Sequence, residues 1–338
     1  MPITKQLNSS FVCKVLELHE LLKFVQHELS FLEHIVDKKS REEIVKKYQL
    51  LYFSKINELF GQLSALVSTD SPLYLEHKVF IREKLYALMA DPATKLNLQI
   101  GSKPFGYAGD FLVSNYFYQD GYTGDTLYAM FMDRYTMELP LARAHKNRRE
   151  YLKNIIIHEA NTKDRMLRVS SFACGPAPEV FDVLSIIKDI HFNLYDGEKE
   201  AISLIRNLMI KRKVLLDQVS LTEVNIINLL RKQSVFVEGE QDLVYCAGFI
   251  DYVQSATIRK LVKYFLSILR PGGRLVLVNV SEHDASDVYL KMLGDWPLFH
   301  RTLDDMKSFF VGLESVKDEE LWSDQETMRN HYLSLRKK

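Results

Sequence analysis

The sequence has few cysteines and no excess of charge of either sign. Its three cysteines are Cys13, Cys174 and Cys246, and none of the paired spacings of a zinc site occurs. Because they are few, odd in number and far apart, we expect reduced thiols rather than a disulfide framework. The 44 basic and 44 acidic residues cancel, so composition gives no general electrostatic reason to bind nucleic acid. We expect the partner to be a small molecule, with another protein as the alternative.

Long apolar runs are also absent. No stretch approaches the roughly 18 apolar residues of a membrane-spanning helix, and the first residues lack the basic, apolar and small-residue order of a secretory signal. We therefore expect no stable membrane insertion and a cytoplasmic protein. At 338 residues, the chain is long enough for two domains, or for one α/β domain with a helical appendage.

Residues 1–100 are predicted to form a helical domain. Apolar residues recur there in alternating steps of four and three, at Phe11, Val15, Leu18, Leu22, Val25, Leu29, Leu32 and Val36. Ser40 followed by Glu43 is a capping-box pattern that predicts a second helix to about Val67, and a third is expected from Pro72 to near Ala90. The apolar seam favours packing inside a bundle, and a homodimer through these helices stays open.

Residues 101–136 mix five glycines with ten aromatic side chains. This composition predicts a loop-rich segment that covers apolar surface without regular periodicity. One interpretation is an aromatic lid over an elongated apolar pocket, from which Tyr107, a catalytic candidate, and Asp110 close on the ligand, unless these two residues only form a turn. The other is that the aromatics only join the helical domain to its neighbour.

Residues 137–338 read as a helix followed by strands that alternate with helices. The predicted strands are 166–173, 190–196, 214–219, 241–248 and 274–280, the third of them weak. This alternation predicts right-handed βαβ units and an α/β fold, a doubly wound Rossmann-like sheet that is mainly parallel. A ligand is then expected at the carboxyl ends of the strands.

The turn after the first predicted strand, SSFACGPAPEV, contains a single glycine, Gly175. A dinucleotide dehydrogenase needs three glycines there, because the backbone approaches a pyrophosphate closely. One close backbone approach is enough for a cofactor without phosphate, whose amino-acid portion and sulfonium lie over the turn. S-adenosyl-L-methionine is such a cofactor.

From about residue 135 to its end, the chain resembles the class I S-adenosylmethionine-dependent methyltransferases. Four segments occur in the family's order: the turn containing Gly175, FNLYDGEKEAI, QDLVYCAG and LRPGGRLVLVN. The resemblance implies that Asp196, at the end of the second strand, accepts both ribose hydroxyls. It further implies that the cofactor lies against Ser171, Ala173, Cys174, Gly175, Pro176, Cys246, Ala247 and Gly248. The family usually has an acidic residue where this chain has Ser171, and glycines where it has Ala173 and Ala177.

Within that superfamily, residues 103–302 are most similar to bacterial methyltransferases for the methyl ester of 3-hydroxypalmitic acid. The segments SFACGPAPE, KPFGYAGDF, CAGFIDYV and DWPLFHRT carry this second resemblance. It implies methyl transfer to oxygen of a small, largely apolar acceptor, with a hydroxy fatty acid as one candidate.

The residues predicted to bind the methyl acceptor, or to activate it, follow the fourth and fifth strands. A carboxylate acceptor needs no base, whereas a hydroxyl acceptor needs one, and His283 after the fifth strand is the best-placed imidazole. Asp251 and Tyr252 follow the fourth strand, where the family's acceptor pocket begins, although Asp251 could instead cap the next helix. Trp296 and Arg301 could wall that pocket and hold an anionic acceptor. For each of these residues a structural role remains the alternative.

Two arginines and one cysteine are expected to have no chemical role. Arg148 and Arg149, on the helix before the sheet, are predicted to lie on a solvated face. Cys174 has no His or acid beside it in the sequence and is expected to pack beneath the cofactor. A catalytically weak binding module that works through its helical domain is the alternative function. A methyltransferase acting on protein or nucleic acid is disfavoured by the neutral charge.

Overall fold

The computed structural model describes residues 7–232, 240–281 and 288–338. The described chain divides into two units, the first with residues 7–142 and 288–297 and the second with the remainder. The chain passes from one to the other within a long helix, Pro140–Asn161. None of the helices in the described ranges is long and apolar enough to cross a membrane.

The first unit is helical. Its helices are α1 (Ser9–Leu32), α2 (Arg41–Leu66), α3 (Tyr74–Met89), α4 (Leu96–Ser102), α5 (Phe111–Gln119) and α6 (Leu127–Met137), followed late in the chain by a π-helix, Val288–Leu293. The predicted apolar seam is buried in α1 at Phe11, Val15, Leu18, Leu22, Val25 and Leu29. Helix α1 contacts α2, α3 and α6, so this unit uses the seam internally. The homodimer stays a prediction.

The second helix begins where the sequence predicts, but for a different reason. Ser40 is the residue before α2, yet its side chain makes no capping hydrogen bond, so the predicted capping box with Glu43 is wrong. Asp37 organises this turn instead, because its Oδ1 accepts the backbone N–H groups of Lys39 at 2.8 Å and Ser40 at 2.9 Å. The Ser40 N–H, which the Glu43 side chain would accept in a capping box, is thereby already used.

The segment 101–136 is more regular than its composition suggests. Asp110 Oδ1 accepts the N–H groups of Leu112 and Val113 at the start of α5, and Thr126 caps α6. Five of its aromatic residues are buried in the first unit: Phe111, Phe117, Tyr128, Phe131 and Tyr135. These helices replace the predicted loops, since each begins at a capping side chain. That the segment forms a lid over a pocket stays a prediction.

The second unit contains a seven-stranded sheet. Its strands are β1 (Leu167–Phe172), β2 (Ile190–Asp196), β3 (Val219–Glu223), β4 (Gln241–Ala247), β5 (Leu269–Val280), β6 (Val316–Ser323) and β7 (Asn330–Lys337). They are ordered β3-β2-β1-β4-β5-β7-β6, with the first five parallel and β7 antiparallel to both its neighbours. The β1–β5 order is that of a doubly wound sheet, and the predicted fold class is confirmed.

Helices cover both faces of this sheet. They are α7 (Pro140–Asn161), α8 (Pro178–Leu184), α9 (Lys199–Arg212), α10 (Ile226–Lys232), α11 (Ser255–Ile268) and α12 (Leu303–Lys307). Along β4, Leu243 and Tyr245 join one apolar cluster, whereas Val244 and Cys246 join the other. Successive side chains of a strand point to opposite faces, so a strand buried on both sides reads as a continuous apolar run.

Three parts of the sheet differ from the sequence prediction. Strand β5 begins at Leu269 rather than at residue 274 and so includes Pro271, Gly272 and Gly273. The weak third strand begins at Val219 rather than Val214. Lys213, with φ 54°, ends α9, and the exposed Leu215 and Leu216 lie in the turn that follows. Strands β6 and β7 were not predicted. Four consecutive residues of β6 are exposed, so the periodic burial that marks a strand in the sequence is weak there.

Candidate functional site

The candidate site lies at the carboxyl ends of β1, β2 and β4, and its centre is the turn after β1. The backbone of this turn is left-handed at Ala173 (φ 50°), Gly175 (φ 55°) and Ala177 (φ 43°). These are the three positions at which the resembling family has glycine. The alanines therefore keep a glycine-like backbone at a steric cost. The Cys174 N–H donates to the Tyr195 carbonyl at 3.1 Å and holds the turn against the end of β2.

Asp196, the last residue of β2, joins two turns. Its Oδ2 accepts the Gly175 N–H at 2.8 Å, and its Oδ1 accepts the Glu198 N–H at 2.9 Å. The side chain is buried, which raises its pKa, and the backbone donors at Glu198, Gly175 and Gly197 oppose that rise. An ionised carboxylate has about four acceptor positions. Asp196 can therefore accept further hydroxyl hydrogens while it keeps both turns in place.

Ser171 belongs to a buried polar chain that the sequence did not indicate. Ser171 on β1 is paired in register with Tyr245 on β4, and their side chains are hydrogen-bonded. The Tyr245 hydroxyl in turn donates to Glu179 Oε1 at 2.7 Å. Glu179, in the first turn of α8, is 4% exposed. A carboxylate thus lies two hydrogen bonds away from the position where the family's acidic residue is missing.

Arg148 is the second charged residue that sequence reasoning missed. It is buried, so its predicted location on a solvated helix face is wrong. Its guanidinium lies against Gly248, where an added Cβ would stand 3.1 Å from Nη1. The neighbouring Arg149 is half-buried and forms an ion pair with Asp182, with hydrogen bonds of 2.7 and 2.9 Å. A helix turns by about 100° per residue, so adjacent side chains meet different surroundings.

Neither thiol in the site has the environment of a nucleophile. Burial raises the pKa of Cys174, and the nearby carboxylates of Asp196 and Glu179 raise it further. Burial also raises the pKa of Cys246 in β4. Because the thiolate is the reactive form, both cysteines are suited to packing at the base of the site.

The residues after β4 and β5 are joined to one another. Asp251 is buried in the 3₁₀ turn Ile250–Tyr252, and its Oδ1 accepts the Val280 N–H at 2.7 Å. Gln254, not Asp251, is the residue before α11. Arg301 is buried and donates to the Ile250 carbonyl at 2.9 Å and to the Asn279 side chain. Asp251 and Arg301 thereby tie the ends of β4 and β5 together.

The predicted cofactor residues lie together in the second unit, whereas the predicted acceptor residues are divided between the two units. Ser171, Ala173, Cys174, Gly175, Pro176, Asp196, Cys246, Ala247 and Gly248 all lie at or beside the ends of β1, β2 and β4. Tyr252 is half-buried in the same unit. Tyr107, half-buried, and Trp296, buried, belong to the first unit. His283 lies outside the described residues.

Comparison with known proteins gives the fold its context. No family model and no curated protein matches the sequence. A protein of Bordetella parapertussis described as a possible exported protein is similar over 100% of this chain and 99% of its own, with 14% identity and a TM-score of 0.56. At that identity, the likeness establishes a shared fold over the whole chain.

Smaller solved structures are similar to part of the chain. Magnesium protoporphyrin IX methyltransferase ChlM of Synechocystis PCC 6803, solved with bound S-adenosylmethionine, covers 59% of this chain and 82% of its own, at 10% identity and TM-score 0.44. The N-methyltransferase NodS of Bradyrhizobium japonicum WM9, solved with S-adenosyl-L-homocysteine, covers 56% and 86%, at 12% identity and TM-score 0.39.

Proposed function

We propose that the chain is an S-adenosyl-L-methionine-dependent methyltransferase of class I. The observation that carries this proposal is the buried carboxylate of Asp196, hydrogen-bonded to the Gly175 N–H at the carboxyl edge of the sheet. A carboxylate at the end of β2 suits the two hydroxyls of a ribose. The turn beside it has one glycine and two alanines, which disfavours the close approach of a pyrophosphate.

The residues at this edge fit such a donor in size and charge. Ala247 and Gly248, at the end of β4, and Ala173 in the first turn have small side chains or none, which leaves the backbone accessible. Asp196 supplies acceptors for hydroxyls, and the low reactivity of Cys174 protects the site from alkylation. The donor, when bound, supplies a methyl group on a positively charged sulfur. The chain's own task is to orient the acceptor and exclude water.

The proposed acceptor is a small, largely apolar molecule methylated on oxygen, with a hydroxy fatty acid carboxylate as the leading case. Support comes from the aromatic side chains of residues 101–136 and the neutral net charge. The resemblance of residues 103–302 to methyltransferases for the methyl ester of 3-hydroxypalmitic acid also supports it. Tyr252 is proposed to line the acceptor pocket, and the assignments of Tyr107 and Trp296 to the acceptor stay sequence predictions. His283 is proposed as the base only if the acceptor is a hydroxyl. Asp251 and Arg301 are proposed to act through the backbone that they hold.

Incubation with radiolabelled methyl donor and a lipid extract tests this function, with product identification by mass spectrometry. The expected result is label in a lipid methyl ester, and much less label at the same low donor concentration when Asp196→Ala replaces the wild type. Label in protein or RNA alone would make the acceptor class wrong. Donor binding without transfer to lipid, protein or RNA would favour the catalytically weak binding module.

A further inference from the structure

Two buried charged side chains, Glu179 and Arg148, lie near the turn after β1 (residues 173–177, here called the donor turn). Neither has a role in the function proposed so far. Glu179 lies four residues beyond Gly175, and its negative charge contributes to the raised pKa of Cys174 within the turn. Arg148 lies against Gly248 at the end of β4. Its positive charge acts to lower the pKa of Glu179 and of Cys246. Strands β1 and β4 are neighbours in the sheet, about 4.8 Å apart. A buried anion thus follows the turn after β1, and a buried cation lies at the end of the neighbouring strand β4.

Opposite charges arranged in this way match the end of an α-amino acid, which carries an ammonium and a carboxylate. We propose that Glu179 recognises the ammonium and Arg148 the carboxylate of the donor's amino-acid portion, so that Glu179 replaces the acidic side chain missing at Ser171. This inference rests on the proposed function, because it assigns residues to the same donor. It differs from the role of Asp196, which is directed at the ribose.

The hydrogen-bond chain explains how Glu179 is held for this task. Tyr245 donates to Glu179 Oε1 at 2.7 Å, and Ser171 is bonded to Tyr245 from the neighbouring strand. Since the Tyr245 hydrogen goes to Glu179, the Ser171 hydroxyl donates to the Tyr245 oxygen. Ser171 thus supports the carboxylate at a distance, instead of supplying one itself. A chain of polar groups fixed at both ends restricts the rotamer of the carboxylate.

The electrostatics of Glu179 favour a cationic ligand. Burial raises its pKa, and the Tyr245 hydroxyl and the charges of Arg148 and Arg149 offset only part of that rise. A buried carboxylate under these conditions gains from an additional cation at hydrogen-bond distance. Arg148 has the planar donor geometry that suits a carboxylate. Gly248 has φ 104°, which favours glycine, and the absence of a side chain there lets the guanidinium lie close to the backbone.

The first measurement uses the wild-type protein and four ligands in titration calorimetry. They are S-adenosylhomocysteine, its deaminated and decarboxylated analogues, and 5′-methylthioadenosine, which retains the nucleoside and lacks the amino-acid end. Each truncation is expected to weaken binding by about tenfold to a hundredfold, the range of a buried hydrogen bond to a charged group. Equal affinity for S-adenosylhomocysteine and 5′-methylthioadenosine would overturn the inference and leave the proposed function standing. Absence of binding by all four ligands would overturn the proposed function itself.

The second measurement assigns the two charges by variants. In Glu179→Gln the affinity for S-adenosylhomocysteine is expected to fall at least tenfold, while the deaminated analogue binds as it does to wild type. In Arg148→Gln the affinity for S-adenosylhomocysteine is expected to fall by the same factor, while the decarboxylated analogue binds as it does to wild type. Arg143→Gln, which removes an exposed arginine from the same helix α7, is the matched control and is expected to leave all four affinities unchanged.

A purely structural role would give a different pattern. If Glu179 and Arg148 serve only to hold the turn, each variant would weaken all four ligands by one common factor, and the inference would be wrong. Should Glu179→Gln fail to fold, Tyr245→Phe provides the test, because it retains the carboxylate and removes its donor. We expect that variant to weaken S-adenosylhomocysteine more than 5′-methylthioadenosine, and equal weakening of both would also overturn the inference.

Discussion

Gly175 and Asp196 are joined by a hydrogen bond of 2.8 Å from the backbone N–H of the glycine to the carboxylate Oδ2. The bond connects the turn after β1 to the end of β2, two strands that run parallel and side by side. Their carboxyl ends therefore meet at one edge, although 21 residues separate the two positions in the chain. Asp196 orders the turn after β1 and keeps acceptor positions that a ligand could use.

Asp196→Ala is expected to lower the affinity for S-adenosylmethionine by about 1.5 to 3 kcal/mol, the scale of hydrogen bonds to a charged group. Titration calorimetry measures this directly, with thermal unfolding as a check that the variant is folded. Glu200→Ala is a matched control, because Glu200 is an exposed acid in the first turn of the nearby α9. Unchanged affinity in Asp196→Ala would contradict the assignment of this carboxylate to the ribose.

Ala173→Gly is expected to stabilise the second unit by about 0.5 to 1 kcal/mol. Relief of a left-handed alanine gives about 1 to 2 kcal/mol, and the extra freedom of glycine in the unfolded chain removes about 0.4 to 1. Ala177→Gly relieves similar strain (φ 43°) but loses a buried methyl, so we expect a smaller gain. Ala256→Gly, at an exposed site in α11, should destabilise. Urea unfolding compares the three variants, and a loss in Ala173→Gly would argue against strain at that turn.

Because of Asp295, the stability of the first unit is expected to fall at acid pH. Hydrogen bonds from Lys103 and then Lys78 hold its pKa at about 2. Because this value is below the unfolded one of about 3.9, the stabilisation is present above that pH and is lost as pH falls towards 2. The carboxylate is half exposed, so the two ion pairs together should contribute no more than about 1 kcal/mol.

Asp295→Asn tests this expectation, since asparagine also tolerates the left-handed backbone of that position (φ 48°). The variant should be less stable than wild type by up to about 1 kcal/mol at pH 7 and equally stable near pH 2. Urea midpoints at pH 7, 5 and 3 provide the measurement. A difference that stays constant with pH would mean that the charge of Asp295 is not the cause.

The pH dependence of turnover distinguishes the two classes of oxygen acceptor. A carboxylate is already ionised near pH 7, so its rate should be nearly flat from about pH 6 to 9 and insensitive to His283→Ala. With a hydroxyl acceptor and His283 as base, the rate should rise through a histidine-like ionisation and fall by roughly 10² to 10⁴ in the variant. Initial rates with the lipid acceptor, once it is identified from its labelled product, measure both. A flat profile combined with a large loss in His283→Ala would fit neither case.

The sequence predicted those features that depend on short-range pattern. The seam of α1 repeats every three or four residues, and six of its residues are buried. Strand β2 has the predicted bounds, Ile190–Asp196, because its apolar run ends at a polar residue and a glycine. The location of Gly175 and Asp196 at one edge of the sheet was also predicted, because Gly175 follows β1, Asp196 ends β2 and parallel strands end at one edge. Local pattern was sufficient at these positions because the neighbours that decide them are close in the chain.

The tertiary structure alone decided which charges are buried. Arg148 and Arg149 are adjacent and chemically identical, yet only Arg148 lies against Gly248, a hundred positions further along. Glu179 reads as an ordinary acid of a helical first turn until β4 places the Tyr245 hydroxyl 2.7 Å away. Asp295 meets Lys78 and Lys103 because residues 288–297 return to the first unit. Burial and charge pairing depend on which distant strands and helices become neighbours, and short-range periodicity carries no information about that.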